Sequence, residues 1–425
     1  MDNRISALMN FLDASHSVYH ATAYLANTLE EAGYTRLEET KDWTLQPGGK
    51  YYLTRGGSAV IAFRIPEGAP QGFLLSASHS DRPTFKIKEN GEMKGAYTRL
   101  ATEKYGGMLM HTWLDRPLSI AGRVLVETED GVRSVLVDID KDLLLIPNVA
   151  IHMNRSANDG YKWNPVSDTV PLVGSKEAAG KLNALLEETA GGKILGHDLY
   201  LYIRQKATVW GLEEEYISSA ALDDLQCAWG CTQGFLKAEK SSSIPVLCVF
   251  DSEEVGSNSV QGAASMLLSD VLARICDGLQ LSLSQMLAGS FMVSADNAHA
   301  IHPNHPEFAD GANAPVLGGG VVLKFNSSQR YTTDGISAAI FRKVCAKANV
   351  PVQTYYNRAD VPGGSTLGHI SLTHVSVPSA DIGLPQLAMH SSFETASVKD
   401  SLYLEDAMAA YYGSTLKVNG ESYIL

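Results

Sequence analysis

The run GFLLSASH, residues 72–79, constrains the fold of this chain more than any other stretch. Positions 73–78 are almost all apolar or small, and the run ends in His79. A strand apolar on both faces belongs near the middle of a sheet that is covered on both sides. In such sheets ligands gather at the carboxyl ends of the strands. The flanking sequence supplies the covering layers. Ile5, Leu8, Met9 and Leu12, then Tyr24, Leu25 and Leu29, recur at helical spacing and predict one or two helices over 1–34. YYLTR and SAVIAFRI read as further strands, with Pro66, Gly68, Pro70 and Gly72 breaking the chain before the central run.

The texture changes between 84 and 211. TFKIKENGEMKG, SIAGRVLVETEDGVRSVLVDID and DLLLIPNVAIHM read as strands, with EDG as a hairpin turn, and helical periodicity is confined to about 175–190. From 212 onward strands and helices alternate again. Helices are predicted at 220–239, 259–278, 332–349 and 395–414, and strands at 244–250, 289–296, 318–325 and 350–356. The expected organisation is an α/β layered domain made of 1–83 and 212–425, interrupted by a β-rich insert at 84–211.

Several function classes fall away on composition. Lys and Arg number 34 against 47 Asp and Glu, a formal charge of −13 without a basic block, which argues against nucleic acid or an anionic membrane as partner. No apolar run approaches the roughly 18 residues of a membrane span. The N-terminus MDNRISALMNFLDASHSVYH lacks the basic start and apolar stretch of a signal peptide and reads as the start of a mature helix. The five cysteines, an odd number without a CxxC pair, make a reducing cytoplasm the expected compartment. Neither a phosphate-binding GxxxxGK[ST] loop nor a GxSxG nucleophile elbow occurs.

Five segments concentrate metal-type donors at strand ends or loops. SASHSDRP offers His79 and Asp81, which share a direction on an extended segment, so one can bind a cation while the other orients its ring. ALDDLQ offers Asp223 and Asp224, equally readable as helix caps. VLCVFDSEEVGS delivers Asp251, Glu253 and Glu254. Two adjacent glutamates cannot easily face one point, so one suits a metal and the other a metal-bound water. FMVSADNAHAIHPNH carries Asp296, His299, His302 and His305, and LPQLAMHSSFET carries His390 and Glu394. Taken singly, each has an ordinary structural reading. Packing alone does not require all five in one sheet. Oxygen and imidazole donors without cysteine point to exchangeable zinc, manganese or cobalt in a catalytic site. About six ligand positions suffice for two metals.

The ordered set HSD, ALDDL, DSEEVGS, SADNAHAIHPNH, QRYTTD, GGSTLGHI and DIGLPQLAMHS closely resembles the aspartyl aminopeptidase family of co-catalytic zinc exopeptidases, from about residue 16 to 410. YGGMLMHTWLDRPLSIAGRV and IPNVAIHMNR in the insert share the likeness. The resemblance implies a mixed-sheet α/β/α zinc-exopeptidase domain with an inserted β-rich dimerisation domain. It implies two zinc ions per subunit, the first on His79, Asp223 and Asp296 and the second on Glu254 and His390, with Asp223 bridging. Glu253 would be the general base and Asp81 the carboxylate behind His79. His152 would project into a neighbouring subunit's active site within a dodecamer built from dimers, there to stabilise the oxyanion-like transition state. The implied activity is removal of an N-terminal residue, Asp or Glu by family preference, from peptides. Lys324 is the candidate for receiving the acidic side chain, with Arg330 and backbone donors near Gly364 as helpers. A di-zinc deacylase or carboxypeptidase of related fold is the alternative enzyme, and a non-catalytic shell protein the alternative outside enzymes.

Overall fold

The computed structural model describes residues 2–364, 366–420 and 422–424, so Ser365 of GGSTLGHI lies outside the described residues. Its centre is a nine-stranded mixed sheet. Along the sheet the strands run Thr35–Arg36, Lys50–Arg55, Ala59–Arg64, Ile244–Phe250, Phe73–His79, Phe291–Ala295, Ser379–Gly383, Val321–Phe325 and Val352–Tyr356. Phe73–His79 is therefore the middle strand. It is buried at every position and pairs in parallel with both neighbours.

Alternate residues of the inner strands feed two different cores, as the strand period requires. Val60, Leu74, Leu247, Val249, Phe291 and Val293 pack on one face against the helices Asn3–Ala14, Val18–Glu31, Leu222–Lys237, Gly335–Lys347 and Val398–Tyr412. Phe73, Leu75, Ala77, Val246, Cys248 and Met292 pack on the other, under Leu267–Leu279 and Leu283–Ala288. The result is the expected α/β/α layering.

A second, antiparallel sheet of six strands lies within 84–203 and has its own core, built on Phe85, Trp113, Leu118, Ile120, Leu199 and Leu201. Thr128 pairs with Gly131, which closes the EDG hairpin. A third sheet joins Thr208–Trp210, Tyr216–Ser219, Glu394–Ser397, Pro385–Leu387 and Ala298–His299, and so gathers two of the donor-bearing segments and leads into a third.

Three local expectations change. DLLLIPNVAIHM forms only isolated bridges at Leu144, Leu145 and Ile146, because Pro147 has no N–H to continue a ladder. The helix expected from 259 begins at Leu267. Residues 257–266 turn back on themselves, and Gly262 packs so close to Ser257 that a Cβ would lie 2.2 Å from its carbonyl oxygen. The closing helix begins at Val398, capped by Ser397, while Glu394–Ser397 is a strand. All five cysteines are buried and free. Among the described residues no helix is long and apolar enough to cross a membrane.

Candidate metal centre

The donor-bearing segments converge at the carboxyl end of the middle strands. Phe73–His79 delivers His79, and Ile244–Phe250, its parallel neighbour, ends opposite it, with Phe250 paired to His79. Beyond that strand Ser252 and Gly256 adopt left-handed backbone, and a short turn between them presents Glu253 and Glu254. Phe291–Ala295 delivers Asp296 on the other side of His79. Asp223 and Asp224 form the first turn of Leu222–Lys237 with non-helical dihedrals, and the peptide between them is cis. Asp224 Oδ2 accepts the backbone N–H of His79, the last residue of the middle strand, at 3.1 Å. His390 sits on a loop, itself left-handed at φ 66°.

Each oxygen of Asp223 faces a different imidazole. Oδ1 lies 3.5 Å from His79 Nε2 and Oδ2 lies 3.4 Å from His390 Nε2. Glu254 Oε1 is 3.4 Å from the same His390 nitrogen. Donor atoms of His79, Asp223 and Glu254 lie within 4.8 Å of one another, as do those of Asp223, Asp224 and Asp296. These separations exceed those of charge-assisted hydrogen bonds, about 2.7–2.9 Å. They match the edge of a tetrahedron whose centre lies about 2.0–2.1 Å from each donor, the geometry of zinc. Buried oxygens Asp223 Oδ1, Asp224 Oδ1 and Glu254 Oε1 have no hydrogen-bond partner. Uncompensated buried oxygens of this kind are the surroundings a divalent cation satisfies.

Electrostatics agree. Burial pushes Glu254 and Asp224 well above the ordinary carboxylate range, Asp223 adding to both, and pushes Glu253 up to about 8, helped by Asp296, Asp81 and Asp223. Burial also raises Asp296, helped by Asp223 and opposed by Lys324. His79 is deeply buried, which disfavours its charge, yet the carboxylates of Asp223 and Asp81 hold it well above its usual value. Negative charge is over-supplied, and a cation relieves it.

Asp81 stands behind His79 as expected, its Oδ1 3.3 Å from Nδ1 and its backbone carbonyl 3.1 Å from the same nitrogen. The same carboxylate accepts the backbone N–H groups of Glu253 and Glu254, each at 3.1 Å, and the Tyr105 hydroxyl at 2.8 Å. Tyr105 ends a strand of the six-stranded sheet, and the chain that follows continues along the centre. A Cβ on Gly106 would lie 3.1 Å from that of Glu254, and Leu109 donates its N–H to the His390 carbonyl.

A 340 Å³ cavity opens beside the cluster. Glu253, Lys324, Tyr331, His299, Gly364 and His390 are among its walls. Lys324 is buried, donates to the carbonyl of Asp296 at 2.7 Å and lies 5.1 Å over the Tyr331 ring. Arg330 lines a different cavity, of 650 Å³. His152, His302 and His305 are exposed and line neither cavity. The structure thus brings His79, Asp81, Asp223, Glu253, Glu254, Asp296, Lys324 and His390 together, and leaves His152 outside the group within one chain. Tyr105, Asp224 and Glu394 also serve the centre. Asp224 and Glu394 stand in the sequence among the metal-type donors, whereas Tyr105 carries no such signal, a phenol being an uncommon metal ligand.

The chain as a whole is similar to proteins already known. The family model described as "Aminopeptidase I zinc metalloprotease (M18)" matches residues 11–412. A "Probable M18 family aminopeptidase 2" of Clostridium novyi is 40% identical, covering 97% of this chain and 100% of that protein. Its counterpart in Pseudomonas aeruginosa is 40% identical over 96% of this chain and 97% of that one. Among solved structures, one described as the Ape4 and Nbr1 complex superposes with TM-score 0.94 at 36% identity, covering 96% of this chain and 85% of that one. The S. cerevesiae mApe1 dodecamer shares the fold, with TM-score 0.85 at 24% identity, covering 96% of this chain and 95% of that one.

Proposed function

The chain belongs to the aminopeptidase I zinc metalloprotease (M18) family, and from that premise we propose how its centre removes N-terminal residues from peptides. It is a zinc metallo-aminopeptidase, a peptide hydrolase. Two zinc ions per subunit, replaceable by manganese or cobalt, would be held by His79, Asp223 and Asp296 and by Asp223, Glu254 and His390. When bound they supply the Lewis acidity that activates water and polarises the scissile carbonyl. Asp223 would serve both, since its two oxygens face different imidazoles. Glu253 lies on the cavity wall and is left free of ligand duty. It takes the proton of the attacking water and returns it to the leaving amine. Asp81 fixes the His79 ring from behind.

The preferred N-terminal residue is acidic. Lys324 lines the cavity, and its ammonium has three donors. The carbonyls of Asp296 and Asn297 engage two of them, and the Asp296 carboxylate lies 3.6 Å from the ammonium, so a substrate carboxylate would share the third donor's side with Asp296. Residues 84–211 form a dimerisation domain inserted between the two parts of the catalytic domain, 1–83 and 212–425. Exposed Val132, Leu136, Val149, Ile151, Met153 and Val166 there support an assembly surface. His152, amid them, acts on a neighbouring subunit's centre and steadies developing oxyanion charge there. The assembly is a dodecamer built from dimers, and the free cysteines suit the cytoplasm.

The observation that carries this reading is the convergence of five separate segments on one cluster of unpaired buried oxygens and imidazoles. The test is a panel of aminoacyl reporters, Asp and Glu against Leu, Lys and Ala, on pure protein before and after chelation. Release should be fastest from Asp or Glu, vanish with chelator and return with zinc, manganese or cobalt. An acetylated peptide should resist. Chelator-resistant release would reject the metal chemistry, and a preference for Leu or Lys would reject the role of Lys324.

A further inference from the structure

Glu394 is almost wholly buried, at 2% exposure, four residues beyond His390. Its two oxygens are engaged by two ligand-bearing backbones. Oε2 accepts the N–H of Asp223 at 3.0 Å and Oε1 accepts the N–H of His390 at 2.7 Å. The strand that carries it pairs with Tyr216–Ser219, Glu394 lying opposite Ser219, so one residue sits between the two loops that lead to these ligands. Both loops hold costly backbone. Ala221 has φ 57°, Ala388 φ 57° and His390 φ 66°, the left-handed region that residues with a Cβ rarely occupy. Such conformations persist only where surrounding contacts over-determine them.

We infer that Glu394 is a positioning residue of the metal centre, whose carboxylate clamps the backbones of Asp223 and His390 and so sets the distance between the bridging ligand and its histidine partner. The inference rests on the ligand set proposed above. The clamp needs two acceptors. A glutamine has one carbonyl oxygen and one NH₂, so one of the two backbone N–H groups would meet a donor. Removing an outer-shell partner of this kind typically weakens metal affinity 10–100-fold.

The test measures zinc dissociation on the full chain by competition with a chromogenic chelator, alongside thermal melts of the zinc-loaded and zinc-depleted protein. Glu394→Gln should raise the dissociation constant of the more weakly held zinc by about 10–100-fold. Its lost turnover should return in part as zinc is added, with KM changed less than about threefold, since Glu394 does not touch substrate. Glu394→Asp keeps both acceptors, set back by one methylene, and should fall between wild type and Glu394→Gln. Wild-type zinc affinity in Glu394→Gln, with both forms melting lower by the same amount, would make Glu394 merely structural and overturn the inference. Should Glu394→Gln fail to fold, Glu394→Asp decides: a loss of zinc affinity below about twofold overturns it. A wild-type protein that binds no zinc would sink the ligand assignment itself. Zinc-binding wild type beside unaffected variants sinks the clamp alone.

Discussion

Tyr105→Phe removes one oxygen atom from the six-stranded sheet and should be felt at the metal centre. Asp81 is buried, at 3% exposure, and its carboxylate is satisfied by the Tyr105 hydroxyl and two backbone N–H groups. A hydrogen bond to a charged group contributes roughly 1.5–3 kcal/mol. Asp81 keeps its two backbone donors, so the lower half of that range is expected, about 1.5–2 kcal/mol. Each 1.4 kcal/mol is about a factor of ten in an equilibrium constant. If the loss falls on the orientation of His79 and the Glu253–Glu254 turn, zinc dissociation should rise about 10–30-fold. Tyr200 provides the control. It packs edge-on against Tyr105, with ring centroids 5.7 Å apart, and makes no hydrogen bond to Asp81. Tyr200→Phe should leave zinc affinity within twofold. Chelator competition and kcat/KM on an aminoacyl reporter read both variants. A Tyr105→Phe protein within twofold of wild type in both measures would refute the coupling of the six-stranded sheet to the centre.

Other expectations follow from the same geometry. Glu253→Gln should retain wild-type metal content by elemental analysis while losing about 10²–10⁴ of turnover, the usual contribution of a general base; retained turnover would reassign the base. Zinc affinity should weaken as pH falls, because the acids that burial raises hold protons in the metal-free protein and must release them on binding; competition titrations at pH 6, 7 and 8 measure the slope, and a flat profile contradicts it. Burial lowers the pKa of His20 to about 4. The neutral imidazole therefore stabilises the fold above the unfolded value near 6.5, and that stability drains away as pH falls toward 4. Allowing for partial exposure, the amount is roughly 2 kcal/mol. His20→Gln should flatten that part of the urea-unfolding profile, and an unchanged pH dependence would refute it.

Much of the architecture was legible because it follows from burial. FLLSASH had to be central, and its alternate residues do feed two separate cores. That His79, Glu254, Asp296 and His390 would come together was foreshadowed by donors crowding strand ends, while the choice between Glu253 and Glu254 came only from the family resemblance. What could not be read was what pairing over long distances decides. No local signal says that Ile244–Phe250 runs antiparallel to Ala59–Arg64 and parallel to Phe73–His79. Glu394–Ser397 looked like the start of a helix because its nearby strand partner, Pro385–Leu387, is only three residues long and its other partner, Tyr216–Ser219, lies about 175 residues away in the chain. DLLLI alternated too little to separate strand from bridge, and Pro147 settled it. Tyr105 was hidden because a phenol is ordinary until the fold sets it against Asp81, and Asp224 and Glu394 stood among the donors with no local sign that they would meet the backbones of His79, Asp223 and His390.

His79, Asp223, Glu254, Asp296 and His390 are proposed to hold two metal ions beside an unligated Glu253. Anomalous diffraction at the zinc absorption edge, on crystals of the protein purified with its own metal, would locate them. Two peaks are predicted, one on either side of the Asp223 carboxylate, with His79 facing one and His390 the other. Absence of both peaks from a protein that still releases N-terminal residues, or peaks held by other side chains, would contradict that assignment.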